Sequence, residues 1–331
     1  MTFFLEENEK KYTLKEKKIW KGAICESFLG QELSEGKPKI FAIKIFKEKY
    51  YEFYSNEISI LSTLNGNDNI IKLIGYGKGI LSPITISGNN NSNDYSDRQI
   101  VHYQLLEYAS NGELKDYVNG NSTRIPEKFS AKLFLKIVYA VKYLHDNDIA
   151  HCDLKQENIL LDNFFNPKIN DFCFSQKFDR KKGDFLVHKR SGTPNYSSQD
   201  VRHAFTKGYN GLKNDIFSLG VLLFVITIIG EFPFEKATYS DEKYKFVIKG
   251  QVDRFWKYFN HIDVSNEFED LINGLIRLNH AKRLTTEEIL KHPWLIKQLG
   301  LNCDENNNYI INEFYDKELI DLFNSRKKWI W

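Results

Sequence analysis

Clustered cysteine is missing from this sequence. Its four cysteines, Cys25, Cys152, Cys173 and Cys303, are scattered, and no Cys-x-x-Cys pair or Cys/His group at zinc spacing occurs. That leaves no basis for a zinc site and implies reduced thiols in a cytoplasmic protein. An excess of one charge is missing too: 46 basic against 44 acidic residues give a net +2, too balanced to imply nucleic-acid binding. No apolar run reaches membrane length; the most apolar, "LGVLLFVITII" (219–229), reads as a buried core helix. The opening "MTFFLEENEKKYT" (1–13) breaks a short apolar run with acidic charge and does not read as a secretory signal. A soluble chain without internal repeats is expected.

What is present is enough for a sizeable core: 331 residues, 42% hydrophobic and 15% aromatic, one large or two coupled domains. Short strand-like runs come first. "KIFAIKIFK" (39–47) and "IVHYQLLEY" (100–108) read as strands, and "NEISILSTL" (56–64) as a helix with Ile58, Leu61 and Leu64 on one face. "ISGNNNSNDYSDR" (86–98) has nothing apolar to bury and reads as a disordered insertion. From about residue 112 the pattern turns helical. "SAKLFLKIVYAVKYLHDND" (130–148) repeats apolar residues at Leu133, Ile137, Val141 and Leu144, and a second helix covers 215–229. "TTEEILKHPWL" (285–295) reads as a third, with Thr285 as cap and Glu288 three residues on. Residues 297–331 form an appendage. Its "DENNNY" turn alternates oxygen ligands but lacks the glycine and distal Glu of a calcium loop, so a plain polar turn is expected.

The segment "HCDLKQENILLDNFFNPKINDFCFSQ" (151–176) carries two aspartates, Asp153 and Asp171, with Asn158 between them. If two short strands follow the loop, these groups converge. One carboxylate then stands near a hydroxyl nucleophile, and a carboxylate with an amide oxygen near a divalent cation. Mg2+ is commonly held by one or two carboxylates plus substrate phosphates, so the arrangement suits phosphoryl transfer. The alternative is a polar loop with two turn-forming aspartates.

"HCDLKQENILL" followed by "NDFC" closely resembles the catalytic and metal-binding loops of eukaryotic protein kinases. The resemblance runs from residue 12 to about 296. It implies an α+β, bilobal protein-kinase-like fold: an N-lobe (12–108) with a small antiparallel β-sheet and one key helix, a larger, mainly helical C-lobe (109–296), and a C-terminal extension (297–331). ATP would sit between the lobes. "FAIK" (41–44) implies that Lys44 contacts the α- and β-phosphates, held by an ion pair with Glu57. "QLLEYASNGEL" (104–114) resembles the hinge, with backbone around Glu107 to Ala109 on adenine, Leu106 behind the ring and Glu113 by the ribose or an incoming peptide. Ala42 and Leu160 would be roof and floor of the purine slot. Asp153 would accept or orient the substrate hydroxyl proton, Lys155 offset charge on the moving phosphoryl group, and Asn158 and Asp171 hold Mg2+.

"SGTPNYSSQD" (191–200), "KNDIFSLGVLLF" (213–224) and "AKRLTTEEILKHPWL" (281–295) extend the resemblance. They imply that Thr193 bonds to Asp153 and Lys155, that Asp215 ties down the catalytic-loop backbone, and that Arg283 pairs with Asp200. Lys155 resembles the serine/threonine type, and the C-terminal part most resembles the calcium/calmodulin-dependent group. Together these imply an ATP- and Mg2+-dependent serine/threonine protein kinase whose partners are protein substrates, not nucleic acid or membrane. Glu113 suits a substrate arginine, although Val225 replaces a second glutamate. The extension lacks the basic amphipathic helix of a calmodulin target and reads as a packing tail.

The sequence departs from the pattern in several places. "IWKGAICES" (19–27) keeps only Gly22 of the glycine-rich loop, with Trp20 and Cys25 at the outer positions. A non-glycine residue costs about 1–2 kcal/mol where φ > 0 is demanded, against about 3–4 kcal/mol of barrier for a lost charge-stabilising group. Weaker ATP binding and slower turnover are therefore expected, not loss of catalysis. Cys152 replaces an Arg that reads activation-loop phosphate, so activation-loop phosphorylation is not expected to be the main switch; a basic run, "DRKK…HKR" (179–190), could cradle phosphate or be a solvated face. Cys173 replaces a Gly and narrows the backbone options of the metal loop. Neither thiol is expected to be reactive. Trp20, Cys25 and Cys173 motivate an alternative, a pseudokinase acting as a scaffold.

Overall fold

A computed structural model describes all residues except 1, 8–9, 33–37, 65, 85–97, 119–123, 184, 229–230, 302–316 and 328–331. The expected insertion at 86–98, save Arg98, and the "DENNNY" turn lie outside the described residues. The chain divides into two compact units, Met1–Gly66 with Ile71–Ser110, and Asn67–Ile70 with Asn111–Trp331.

Among the described residues of the first unit six strands, β1 (Thr2–Glu7), β2 (Lys10–Lys21), β3 (Cys25–Glu32), β4 (Ile40–Lys47), β5 (Leu73–Ile84) and β6 (Gln99–Leu106), surround one core; helix α1 (Tyr51–Leu61) follows β4. The strands are antiparallel in the order β1-β2-β3-β4-β6-β5, and the sheet closes because β1 pairs on both sides, Leu5 facing Tyr12 and Leu81. Closure removes the unpaired edges that an open sheet would present. Side chains alternate along a strand, so Phe41, Ile43 and Ile45 of β4 enter the core with Tyr12, Leu14, Phe28, Val101, Tyr103 and Leu105. Ala42, Lys44 and Phe46 point to the opposite face, against which α1 packs. The helix starts five residues before the expected segment and stops at Leu61, so Tyr54, Glu57 and Ile60 join the expected Leu61 on its buried face, while Ile58 is only half-buried. Leu64 is buried from the turn beyond it. The aromatic residues that precede the segment extend the helix.

The second unit contains, in chain order, α2 (Lys115–Val118), α3 (Glu127–Asp146), strands β7 (Ile149–Ala150), β8 (Ile159–Leu161), β9 (Pro167–Ile169), β10 (Gln176–Lys177), β11 (Leu186–Val187) and β12 (Tyr209–Asn210), then α4 (Gly211–Thr227), α5 (Tyr244–Ile248), α6 (Val252–Trp256), α7 (Asn266–Leu275), α8 (Thr286–Leu290), α9 (Pro293–Leu299) and α10 (Lys317–Lys327). Leu133, Ile137, Val141 and Leu144 are all buried on α3. Helix α4 is buried along nearly its whole length, as its unbroken apolar run requires. The expected helix over 285–295 is two. Thr285 and Glu288 form the full capping box of α8, but Pro293 cannot continue a helix, and His292, held extended before it (φ −70, ψ 137), starts α9.

Candidate active site

In the first unit the β4–β6 register sets Lys44 beside Gln104. Lys44 Nζ lies 2.9 and 2.7 Å from the two carboxylate oxygens of Glu57, and Gln104 Nε2 donates to Glu57 Oε2 at 3.1 Å. Both ionic side chains are almost inaccessible, 3% and 0% exposed. A buried pair persists only when its remaining lone pairs and protons are satisfied; Gln104 takes one of them. Sequence reasoning missed Gln104. The signal was a polar residue on a strand otherwise buried from Val101 to Leu106.

Ala42 pairs across the same strands with Leu106. Beyond β6, the Glu107 N–H donates to the Lys72 carbonyl at 3.0 Å, and Glu107 Oε1 accepts from Lys72 N. The Ala109 backbone N–H, on a buried residue, has no partner among the described residues. Gly22 lies in the β2–β3 turn, its N–H donating to the Cys25 carbonyl at 3.0 Å. The structure corrects the strain argument for this loop, since Trp20, Gly22 and Cys25 all lie outside the left-handed region. What Gly22 provides is room: a Cβ there would fall inside the Trp20 indole.

In the second unit, Asp153, Lys155, Asn158 and Thr193 converge. Thr193 Oγ1 donates to Asp153 Oδ1 at 2.8 Å, Lys155 Nζ lies 2.8 Å from Asp153 Oδ2, and Lys155 Nζ donates to Thr193 Oγ1 at 2.9 Å. Asn158 Nδ2 donates to the Asp153 carbonyl at 2.8 Å and to its Oδ2 at 3.2 Å. With its amide nitrogen so engaged, Asn158 offers its Oδ1 as the remaining donor atom for a cation. The Asn170 N–H donates to the Asn158 carbonyl at 2.9 Å, bringing Asp171 (φ +63) next to Asn158 in the chain path. An amide oxygen and a carboxylate are hard donors of the kind Mg2+ takes.

The loop beneath is tied down from α4. Asp215 accepts from the backbone N–H of His151 at 2.8 Å and of Cys152 at 2.9 Å. Those bonds hold Cys152 at φ +65, a conformation that few non-glycine residues adopt. Burial, aided by the Asp215 and Asp153 charges, pushes the Cys152 thiol well up, so it stays protonated and unreactive at neutral pH. His151 also went unassigned by sequence. Its Nε2 lies 3.0 Å from the Asn170 carbonyl, and its ring packs edge-on to the buried Phe172. Cys173 lies outside the left-handed region, so its side chain costs no backbone strain in this conformation. Glu113 and Leu160 meet in a bridge, framed by Leu161 N to Gly112 O and Leu114 N to Ile159 O, both 2.8 Å. Burial raises the Glu113 carboxyl and the nearby Lys115 opposes it. Arg283 Nη2 meets Asp200 Oδ2 at 2.7 Å.

The profile of the protein kinase domain matches residues 14–295. The chain is 34% identical over 215 residues to CBL-interacting protein kinase 10 of Oryza sativa subsp. japonica, covering 65% of this chain and 45% of that protein. It is 31% identical over 309 residues to probable serine/threonine-protein kinase MARK-B of Dictyostelium discoideum, covering 91% and 38%. To CBL-interacting protein kinase 3 of O. sativa it is 37% identical over 193 residues, covering 58% and 41%. The chain thus spans less than half the length of each of these relatives.

Proposed function

Because the chain belongs to the protein kinase domain family, we propose that it transfers the γ-phosphate of ATP to serine and threonine hydroxyls of protein substrates. The observation that carries this reading is the closed set of hydrogen bonds among Asp153, Lys155, Asn158 and Thr193. A carboxylate with one oxygen on a lysine and the other on a hydroxyl is oriented before substrate arrives. Thr193 Oγ1 occupies, toward Asp153 Oδ1, the relation that a substrate hydroxyl needs for its proton to be accepted. Lys155 then supplies positive charge where the phosphoryl group moves, and such positioning and electrostatics make up most of phosphoryl-transfer catalysis.

Lys44, held by Glu57, serves the α- and β-phosphates, and the Ala109 N–H is a donor suited to a purine nitrogen. Asn158 Oδ1 and Asp171 are the groups that would hold Mg2+, which when bound neutralises phosphate charge. The hard-oxygen donor pair supports that assignment.

The test is phosphotransfer from Mg-ATP to a generic basic protein, with Asp153→Asn beside the native chain. Transfer that falls about 1,000-fold or more in the variant is expected. ATP binding with no Asp153-dependent transfer would overturn the reading in favour of a scaffold.

A further inference from the structure

The second unit holds a cavity of about 510 Å3 whose wall includes Gly192 and Pro194, the two neighbours of Thr193 in the chain. It therefore adjoins the Asp153 cluster directly. Gly192 sits at φ +89, and a Cβ there would press on the Cys152 carbonyl oxygen. From the other side, Ser197 Oγ donates to the Thr193 carbonyl at 2.9 Å. The wall is thus fixed to the loop that carries the reacting carboxylate.

Three cations line this cavity, Arg190, Arg202 and Lys236, with no carboxylate among the lining residues. They come from three separate segments of the chain. Arg190 is aimed by the Arg202 carbonyl, at 3.4 Å, and by the Phe205 ring, 5.8 Å from its guanidinium. Two nearby aspartates are already engaged. Asp200 is on Arg283, and Asp241 accepts from the backbone N–H groups of Glu235, Lys236, Lys243 and Tyr244. Among the described residues none of the three cations has an ion-pair partner. The basic run at 179–190 divides accordingly: Arg180 is spent on Asp148 at 2.7 Å, whereas Arg190 faces the cavity. Like charges gathered against the apolar walls of Val201 and Ala237 repel one another until an anion enters, and they attract it while they wait.

We propose that this cavity is a substrate-selecting subsite for an anionic side chain, carboxylate or phosphate, carried near the acceptor hydroxyl. Because Gly192 and Pro194, which flank Thr193, line the cavity, the anion is carried close to the acceptor along the peptide. The inference rests on the kinase reading above and names its substrate class: acidic or already phosphorylated protein segments, in contrast to the arginine preference that Glu113 alone suggests.

The test uses the full chain with Mg-ATP and a neutral serine peptide, into which Asp or phosphoserine is placed at each position from −4 to +4. At one position the acidic residue raises kcat/KM about tenfold, the discrimination that about 1.4 kcal/mol supplies. The Asp and phosphoserine arms distinguish carboxylate from phosphate. In the Arg202→Glu/Lys236→Glu variant the preference inverts toward a Lys-containing peptide, a gain that misfolding cannot imitate. Neutral and acidic peptides phosphorylated within twofold at every position would overturn the subsite while leaving the kinase reading intact. If no peptide is phosphorylated, the kinase reading fails and binding decides the cavity. Fluorescence anisotropy then compares a labelled phosphoserine peptide with its unphosphorylated twin: tighter binding that the variant loses supports the subsite, and equal binding overturns it.

Discussion

Gly22 shows how one residue can serve a different purpose from the one its position suggests. No left-handed backbone is needed there, but the Trp20 indole occupies the space a Cβ would take. The contact is with the far edge of a half-buried ring, so the cost is that of displacing the indole, about 1 kcal/mol, the low end of core overpacking. Gly22→Ala should therefore lower the thermal midpoint, and adding Trp20→Ala should recover most of the loss, with a coupling above about 0.5 kcal/mol in the double-mutant cycle. Additive effects would show that the two side chains do not share that space. Cys152 is the opposite case. It keeps a left-handed backbone because Asp215 holds its N–H, which a motif of residue types does not reveal. The Lys44–Glu57 contact was legible, since "FAIK" and "NEISIL" carry recognisable residue types; Gln104 was not, because only strand register puts it beside Glu57.

At the scale of elements, local signals were read well where they act within a few residues. The capping box of α8 is one. The break between α8 and α9 shows the limit, for a proline three residues beyond a helix end can follow its stop or start the next helix. His292 resolves it. Its Nδ1 accepts from Trp294 N at 3.2 Å while Nε2 meets Asp270 at 3.2 Å, so capping needs the neutral ring. Burial pulls the His292 pKa below its ordinary value, and Asp270 only partly opposes this. The unfolded chain then takes up the proton more readily than the folded one. The cap's contribution is complete above the unfolded pKa, about 6.5, and is lost as pH falls below it. Between pH 7.5 and 5.5 the native chain should lose stability through this cap, by no more than about 1 kcal/mol, the typical worth of such a cap. His292→Asn, which can cap without titrating, should flatten that part of the stability–pH curve measured by denaturant unfolding. An unchanged slope would show that His292 does not govern it.

Over the molecule as a whole, the strongest non-local feature is the end of the second unit. Helix α10 buries Phe323 completely, stacked on Phe165 at 5.3 Å and edge-on to Tyr117 at 5.1 Å. Arg326 donates to the carbonyls of Tyr117, at 3.2 Å, and Arg124, at 3.0 Å. The tail is part of the core of that unit. Truncating a buried phenylalanine costs about 3–5 kcal/mol, and Phe323→Ala should lower the unfolding free energy measured in urea by about 3 kcal/mol, because α10 can detach without the rest of the unit. A loss below about 1 kcal/mol would mean the tail only rests on the surface. Among the described residues no helix is long and apolar enough to cross a membrane.

The sequence by itself determined the family: residue types at set spacings matched the catalytic and metal-binding loops of protein kinases, apolar periodicity marked α3, and an unbroken apolar run marked α4. Tertiary structure alone decided which distant groups meet. It closed the first sheet through β1, packed α10 onto Tyr117 and Phe165, and gathered Arg190, Arg202 and Lys236 around one cavity. Periodicity and capping are short-range properties of the backbone, whereas these contacts join segments whose pairing depends on the packing of everything between them.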